Sequence, residues 1–198
     1  MEESETGLFR RREPFAFMLY LAIFGSSLLF LFILLVFLRK EWVNQDIGVP
    51  LLPIFWISTG LIVLSSFLLQ DARQAFSQEK FQRYRRGLIL VNLLGASFMG
   101  TQLYGWKLLF DLQITMANDT GGSFLYILSG LHVFHTAGGL IALGIALRDA
   151  FRHRQYIDSF VYAVNPPNQL RLKLISIYWH FVDVLWVFLF LFLVFHAR

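Results

Sequence analysis

His132 and His135 stand three residues apart in SGLHVFHTAGG, and His180 and Asp183 stand three apart in IYWHFVDVLWVFLFLF, in runs otherwise as apolar as lipid. An ionisable side chain at a bilayer centre costs about 2.5 to 3.5 kcal/mol on insertion scales, so each of the four needs a partner or a task. A spacing of three puts both members of a pair on one helix face. Three imidazoles and a carboxylate are acceptable ligands for zinc or iron. Two facing imidazoles are compatible with a haem iron held between helices. The same groups can instead hydrogen-bond across a helix–helix contact. The Glu-rich pattern of di-metal bundles, with inward Glu and Glu-x-x-His pairs, is missing, and no other feature points to a macrocycle pocket. An intramembrane polar contact is therefore the favoured expectation, with no catalytic residue, metal ligand or cofactor assigned to the chain.

The elements that must position these residues follow from composition. Hydrophobic residues make up 57% of the 198 and charged residues 15%, with mean hydropathy +0.58. A soluble domain carries about one-quarter charged residues, so the chain reads as an integral membrane protein. Five runs reach the roughly 20 residues that a helix needs to cross hydrocarbon: about 15–38, 49–69, 87–109, 123–147 and 173–195. The expectation is an all-α membrane protein, one domain over 1–198, without internal repeats. There is no Cys, which excludes thiolate metal sites, disulfides and iron–sulfur clusters. MEESETGLFRRREP is polar and the first apolar run is too long for a signal-peptide core, so that run reads as a retained span.

The net charge of +4 comes from short basic clusters between spans, a pattern of membrane orientation and not of nucleic-acid binding. With a cytoplasmic N-terminus, that side holds Arg10, Arg11, Arg12, Arg73, Lys80, Arg83, Arg85, Arg86, Arg148, Arg152, Arg154, Arg171 and Lys173. The other side holds Arg39, Lys40, Lys107 and Arg198. Thirteen against four predicts N-terminus inside and C-terminus in the periplasm. In the second loop Glu79 precedes Arg83 by four, which predicts a solvated helical hairpin beyond the membrane. Pro14 suits a first helical turn, NDTGGS predicts a turn with a cap at Ser123, and Asn165-Pro166-Pro167 predicts a stop within the last loop.

Counting about 1.5 Å per residue from Ser123 and from Lys173 brings His132 level with Asp183 and His135 level with His180. The fourth and fifth helices are thus expected to be neighbours, with these residues bonded across their contact. Gly95, Gly100, Gly130, Gly138, Gly139 and Gly144 permit close helix approach, and Ser26, Ser27, Ser58, Thr59, Ser65, Ser66, Asn92, Thr101 and Gln102 offer hydroxyls and amides as glue. No nucleophile elbow or phosphate-binding Gly loop is present.

Four segments resemble a known family. IYWHFVDVLWVFLF is similar to the YWHFVDVVWLFLF segment of subunit III of haem–copper terminal oxidases, and GGSFLYILSGLHVFHTAGGLIAL to its GSTFF–GFHGLHV–GG helix. VPLLPIFWISTGLIVLSS and NLLGASFMGTQLYGW resemble its PLLNT-type and LG–F–LQ–EY/W helices, so the likeness runs through the chain in order. The resemblance implies the short five-helix bacterial form of cytochrome c oxidase subunit III, a multi-pass protein of the bacterial inner membrane. It further implies no redox centre on this chain, haem and copper in partner subunits, contact with the large catalytic subunit I, bound phospholipids, assistance to proton uptake and protection during turnover. Gln102, Trp106, Trp179 and Trp186 fall on the motif as candidate lipid or packing contacts. Two departures stand out: Ser26-Ser27 where the family often has Ser-Glu, and Gly105 before Trp106 where it often has an acid.

Quinol oxidases carry a very similar subunit and nitric oxide reductase clusters encode a relative, so the electron donor stays open. From other classes, a secondary transporter predicts inverted repeats and broken helices, neither of which is visible. An intramembrane metal enzyme predicts bound metal on the isolated chain.

Overall fold

The computed structural model describes residues 13–43, 48–152, 159–161 and 164–197. Arg10, Arg11, Arg12, Arg154 and Arg198 of the orientation argument lie outside the described residues. Five long helices follow in order: α1 (Glu13–Val43), α2 (Ile54–Ser77), α3 (Phe81–Asp111), α4 (Thr120–Arg152) and α5 (Pro166–Phe195). All five are long and apolar enough to span a membrane. With 24 to 33 residues each, they run to about 36–50 Å, longer than a hydrocarbon core of about 30 Å, so their ends project beyond it.

Helices α2 to α5 form a closed ring, each packing on its neighbour and α5 returning to α2, while α1 lies outside against α5 and α4. The ring closes because small residues stand where helices cross. A methyl added to Gly87 would meet Ala72 Cβ at 2.7 Å, and one at Gly95 would meet Leu140 Cδ2 at 2.7 Å and Trp179 Cη2 at 2.8 Å. Helix α1 buries Phe30, Leu34 and Phe37, an i, i+4, i+7 stripe confined to its C-terminal half. Phe37 sets its ring edge-on to Phe124 of α4 (5.0 Å) and Phe192 of α5 (5.5 Å). The N-terminal half shows Phe15, Phe17, Met18 and Phe24 on its surface.

Three expectations about boundaries change. Residues 49–53, read as the start of the second span, are not helical: Pro50 and Pro53 withhold backbone donors, and helix begins only at Ile54. Val49 N–H instead donates to the His196 carbonyl (3.0 Å), an isolated bridge that ties this segment to the chain end. Asp119, not Ser123, caps α4, its Oδ1 accepting from Gly122 N–H at 2.7 Å, while Ser123 lies inside the helix and donates to Asp119 O. The Asn165-Pro166-Pro167 stop also opens α5, with extended Asn165 as its cap, because proline at a first helical position loses no hydrogen bond.

The α2–α3 hairpin turns on three residues, with Glu79 at φ 60°. Lys80 N–H reaches back to Ala75 O (2.9 Å), and Ile114 N–H to Leu109 O (3.0 Å) after Gln113 at φ 59°. Both helices therefore end in the same left-handed closure. Arg83 clasps Asp71 of α2 with two guanidinium nitrogens (Nε to Oδ2, 2.9 Å).

Candidate functional site

Of the polar groups expected at the α4–α5 contact, His132 and Asp183 are buried and His135 and His180 partly buried, and their hydrogen bonds do not join them to one another. His135 Nδ1–H donates to the Leu131 carbonyl (2.7 Å). Because a carbonyl only accepts, Nε2 is left to accept from the Ser26 hydroxyl of α1 (3.0 Å). His180 Nδ1 bonds Ser66 Oγ of α2 at 2.5 Å. His132, fully buried, bonds within its own helix to Thr136 Oγ1 (3.1 Å). Thr136 uses its only proton on the His132 carbonyl (2.9 Å), so Nε2 carries the imidazole proton and Nδ1 faces the interior without a partner. Asp183 is 3% exposed. Both its oxygens lack a hydrogen-bond partner among the described residues, the nearby Ser66 hydroxyl lying against His180.

The expectation of adjacent α4 and α5 holds, and that of direct bonds between these four side chains does not. His132 stacks obliquely on Trp186 (4.9 Å) and Gly139 receives the Trp179 ring, an added Cβ meeting its Cε3 at 2.9 Å. These contacts set the helices about one turn out of the register counted from Ser123 and Lys173. The count failed because α5 starts at Pro166, so neither reference residue marks a helix end. Tyr178 OH supplies a direct polar link, donating to the His135 carbonyl (3.0 Å).

A repeated device connects the other helices. Trp179 Nε1–H donates to Ser65 Oγ (3.0 Å) and Trp186 Nε1–H to Thr59 Oγ1 (3.0 Å), both on α2. Trp106 donates to Ser129 on α4 (2.9 Å) and Gln102 Nε2 to Ser58 (3.0 Å). Each receiving hydroxyl passes its own proton to a carbonyl of the preceding turn: Ser65 to Ile62, Thr59 and Ser58 to Phe55, Ser129 to Leu125. Each of these four hydroxyls thus donates and accepts once without water, which satisfies it in an apolar interior. Among the described residues no group of three or more His, Cys, Asp or Glu could hold a metal ion.

Sequence reasoning named the α2 hydroxyls without their partners and missed Ser129, Thr136 and Tyr178. A signal existed. Ser58-Thr59 and Ser65-Ser66 recur seven residues apart on α2, as Trp179 and Trp186 do on α5, and a seven-residue repeat on both partners keeps one seam facing another.

The chain matches the family model described as cytochrome c oxidase subunit III over residues 8–198. It belongs to the cytochrome c oxidase subunit III family. It is 32% identical over 149 residues to a probable cytochrome c oxidase subunit 3 of Nocardia farcinica, covering 74% of this chain and 64% of that protein. It is 29% identical to cytochrome c oxidase subunit 3 of Bacillus subtilis, over 86% of this chain and 81% of that one. A probable quinol oxidase subunit 3 of Staphylococcus saprophyticus is 27% identical, with 70% and 65% covered. The all-helical structure with five candidate spans agrees with subunit III membership. The two departures also find their places. Ser27, at the position of the family's acid, donates to the Ile23 carbonyl of its own helix (2.8 Å), while Gly105 lies against Phe55, where an added Cβ would stand 3.1 Å from Cζ. A side chain at 105 would require Phe55 and Ile54 to give way by a few tenths of an ångström.

Proposed function

We propose that this chain is the accessory subunit III of a proton-pumping, oxygen-reducing haem–copper oxidase of the bacterial cytoplasmic membrane, with its N-terminus inside. Its partners are the large catalytic subunit I, which with the other subunits carries haem and copper, and phospholipids. Its contribution is stability, lipid retention and support of proton uptake. The observation that carries this reading is the family match across residues 8–198, supported by a hydroxyl seam that uses the motif residues Gln102, Trp106, Trp179 and Trp186 to join helices.

The test compares the purified oxidase with and without this subunit. The initial turnover rate is expected to stay nearly unchanged, while activity over prolonged turnover decays faster without the subunit. Equal decay overturns the reading. Mild-detergent copurification should give a haem absorption spectrum for the complex and none for this chain alone. The Staphylococcus relative favours a second reading, subunit III of a quinol oxidase. A copper electron-entry centre in the purified complex selects cytochrome c as donor, and its absence selects quinol.

A further inference from the structure

At the base of the α2–α3 hairpin lies a groove of about 690 Å³. Lys80, Arg83, Arg85 and Arg86 line it against Asp71 and Glu79, a balance of two positive charges. The Arg83 clasp neutralises Asp71, and Glu79 and Arg85 have contacts of their own. Exposed Lys80 is tied only to the neutral Gln78 amide (2.9 Å), and exposed Arg86 has no acidic partner among the described residues. The floor is apolar: Gly87, pressed on Ala72, and the side chains of Leu68 and Leu90. One turn deeper on the same helix faces stand Leu64 and Leu93, 49% and 59% exposed.

We infer that this groove is a binding site for one anionic phospholipid of the leaflet that the hairpin abuts, its phosphate held by Lys80 and Arg86 and its acyl chains laid along Leu90, Leu64 and Leu93. This sharpens, and rests on, the lipid part of the proposed function. Three features together select this occupant. The cations lie just beyond the apolar length of the helices, where headgroups stand. Charge remains after the internal ion pair is counted. The apolar floor runs on into an exposed hydrocarbon-facing strip, which a free anion would leave uncovered. Basic side chains at a membrane surface each contribute about a factor of five to anionic lipid binding.

The test uses the full oxidase complex in nanodiscs or mild detergent, with native mass spectrometry counting retained phosphatidylglycerol and phosphatidylcholine. Wild type is compared with Lys80→Gln/Arg86→Gln and with Lys107→Gln, a substitution elsewhere on α3. The double variant is expected to hold phosphatidylglycerol about thirtyfold more weakly, losing about one molecule per chain, while Lys107→Gln retains it. Inorganic phosphate at millimolar levels is expected not to displace the lipid, and phosphatidylcholine not to replace it. Equal retention in all three complexes overturns the site, as does displacement by phosphate, which would make the groove a simple anion site. Copurification with haem-containing subunits is scored separately, so the site can fail while the accessory-subunit reading stands. Loss of copurification in wild type is the failure of that reading.

Discussion

The indole-to-hydroxyl bond is the unit on which the interior depends. In membranes such bonds average about 0.6 kcal/mol and reach about 1.7, so a double-mutant cycle of Trp179→Phe with Ser65→Ala should give a coupling in that range. Thermal or mixed-micelle unfolding of the complex measures it, and zero coupling would mean the 3.0 Å contact is incidental. Packing around the same ring is less forgiving. Gly139→Ala places a methyl 2.9 Å from Trp179 Cε3 and is expected to destabilise by about 1–3 kcal/mol. Gly60→Ala and Gly100→Ala have nothing within 4 Å of the new atom. They are expected to be neutral or to gain up to about 1 kcal/mol from helix propensity, and equal losses at all three positions would contradict the close-packing account.

For the helices, what was legible in the sequence was whatever depends on runs and local spacing: five apolar stretches, the i, i+3 pairs and a helical hairpin in the second loop. What was hidden depended on partners far along the chain. His135 finds Ser26 across 109 residues and His180 finds Ser66 across 114, and neither distance leaves a trace in the local pattern around the histidines. The α4 cap was misplaced for a different reason. Asp119 and Ser123 are both good capping residues, and glycines follow Asp119 at 121 and 122 because they lie tight against Gly48 and Ile114. A methyl on Gly121 would fall 2.0 Å from Gly48 O. Asp119→Ala should therefore cost about 0.5–2 kcal/mol and Ser123→Ala less. Hydrogen exchange at the Gly122 amide should rise in the first variant only, and an unchanged amide would move the cap elsewhere.

At the level of the whole molecule, α5 packs on α2, α4 and α1, while α1 packs mainly on α5 and α4. Deleting α1 is expected to leave the ring of α2 to α5 able to assemble, seen as a protease-resistant core. Replacing both Trp179 and Trp186 by Ala, with each large buried ring removed at about 3–5 kcal/mol, should abolish it. If the two variants resist protease equally, the ring is not the structural unit. Because the closing helix follows the other four in chain order, translation order has a consequence. The earlier spans leave the ribosome with their seam hydroxyls still awaiting the indoles, and the Val49 bridge to Ala197 forms only once α5 has been made. A nonsense mutation ahead of Trp179 would thus act as a null allele, discarded by membrane quality control, and not as a merely shortened protein.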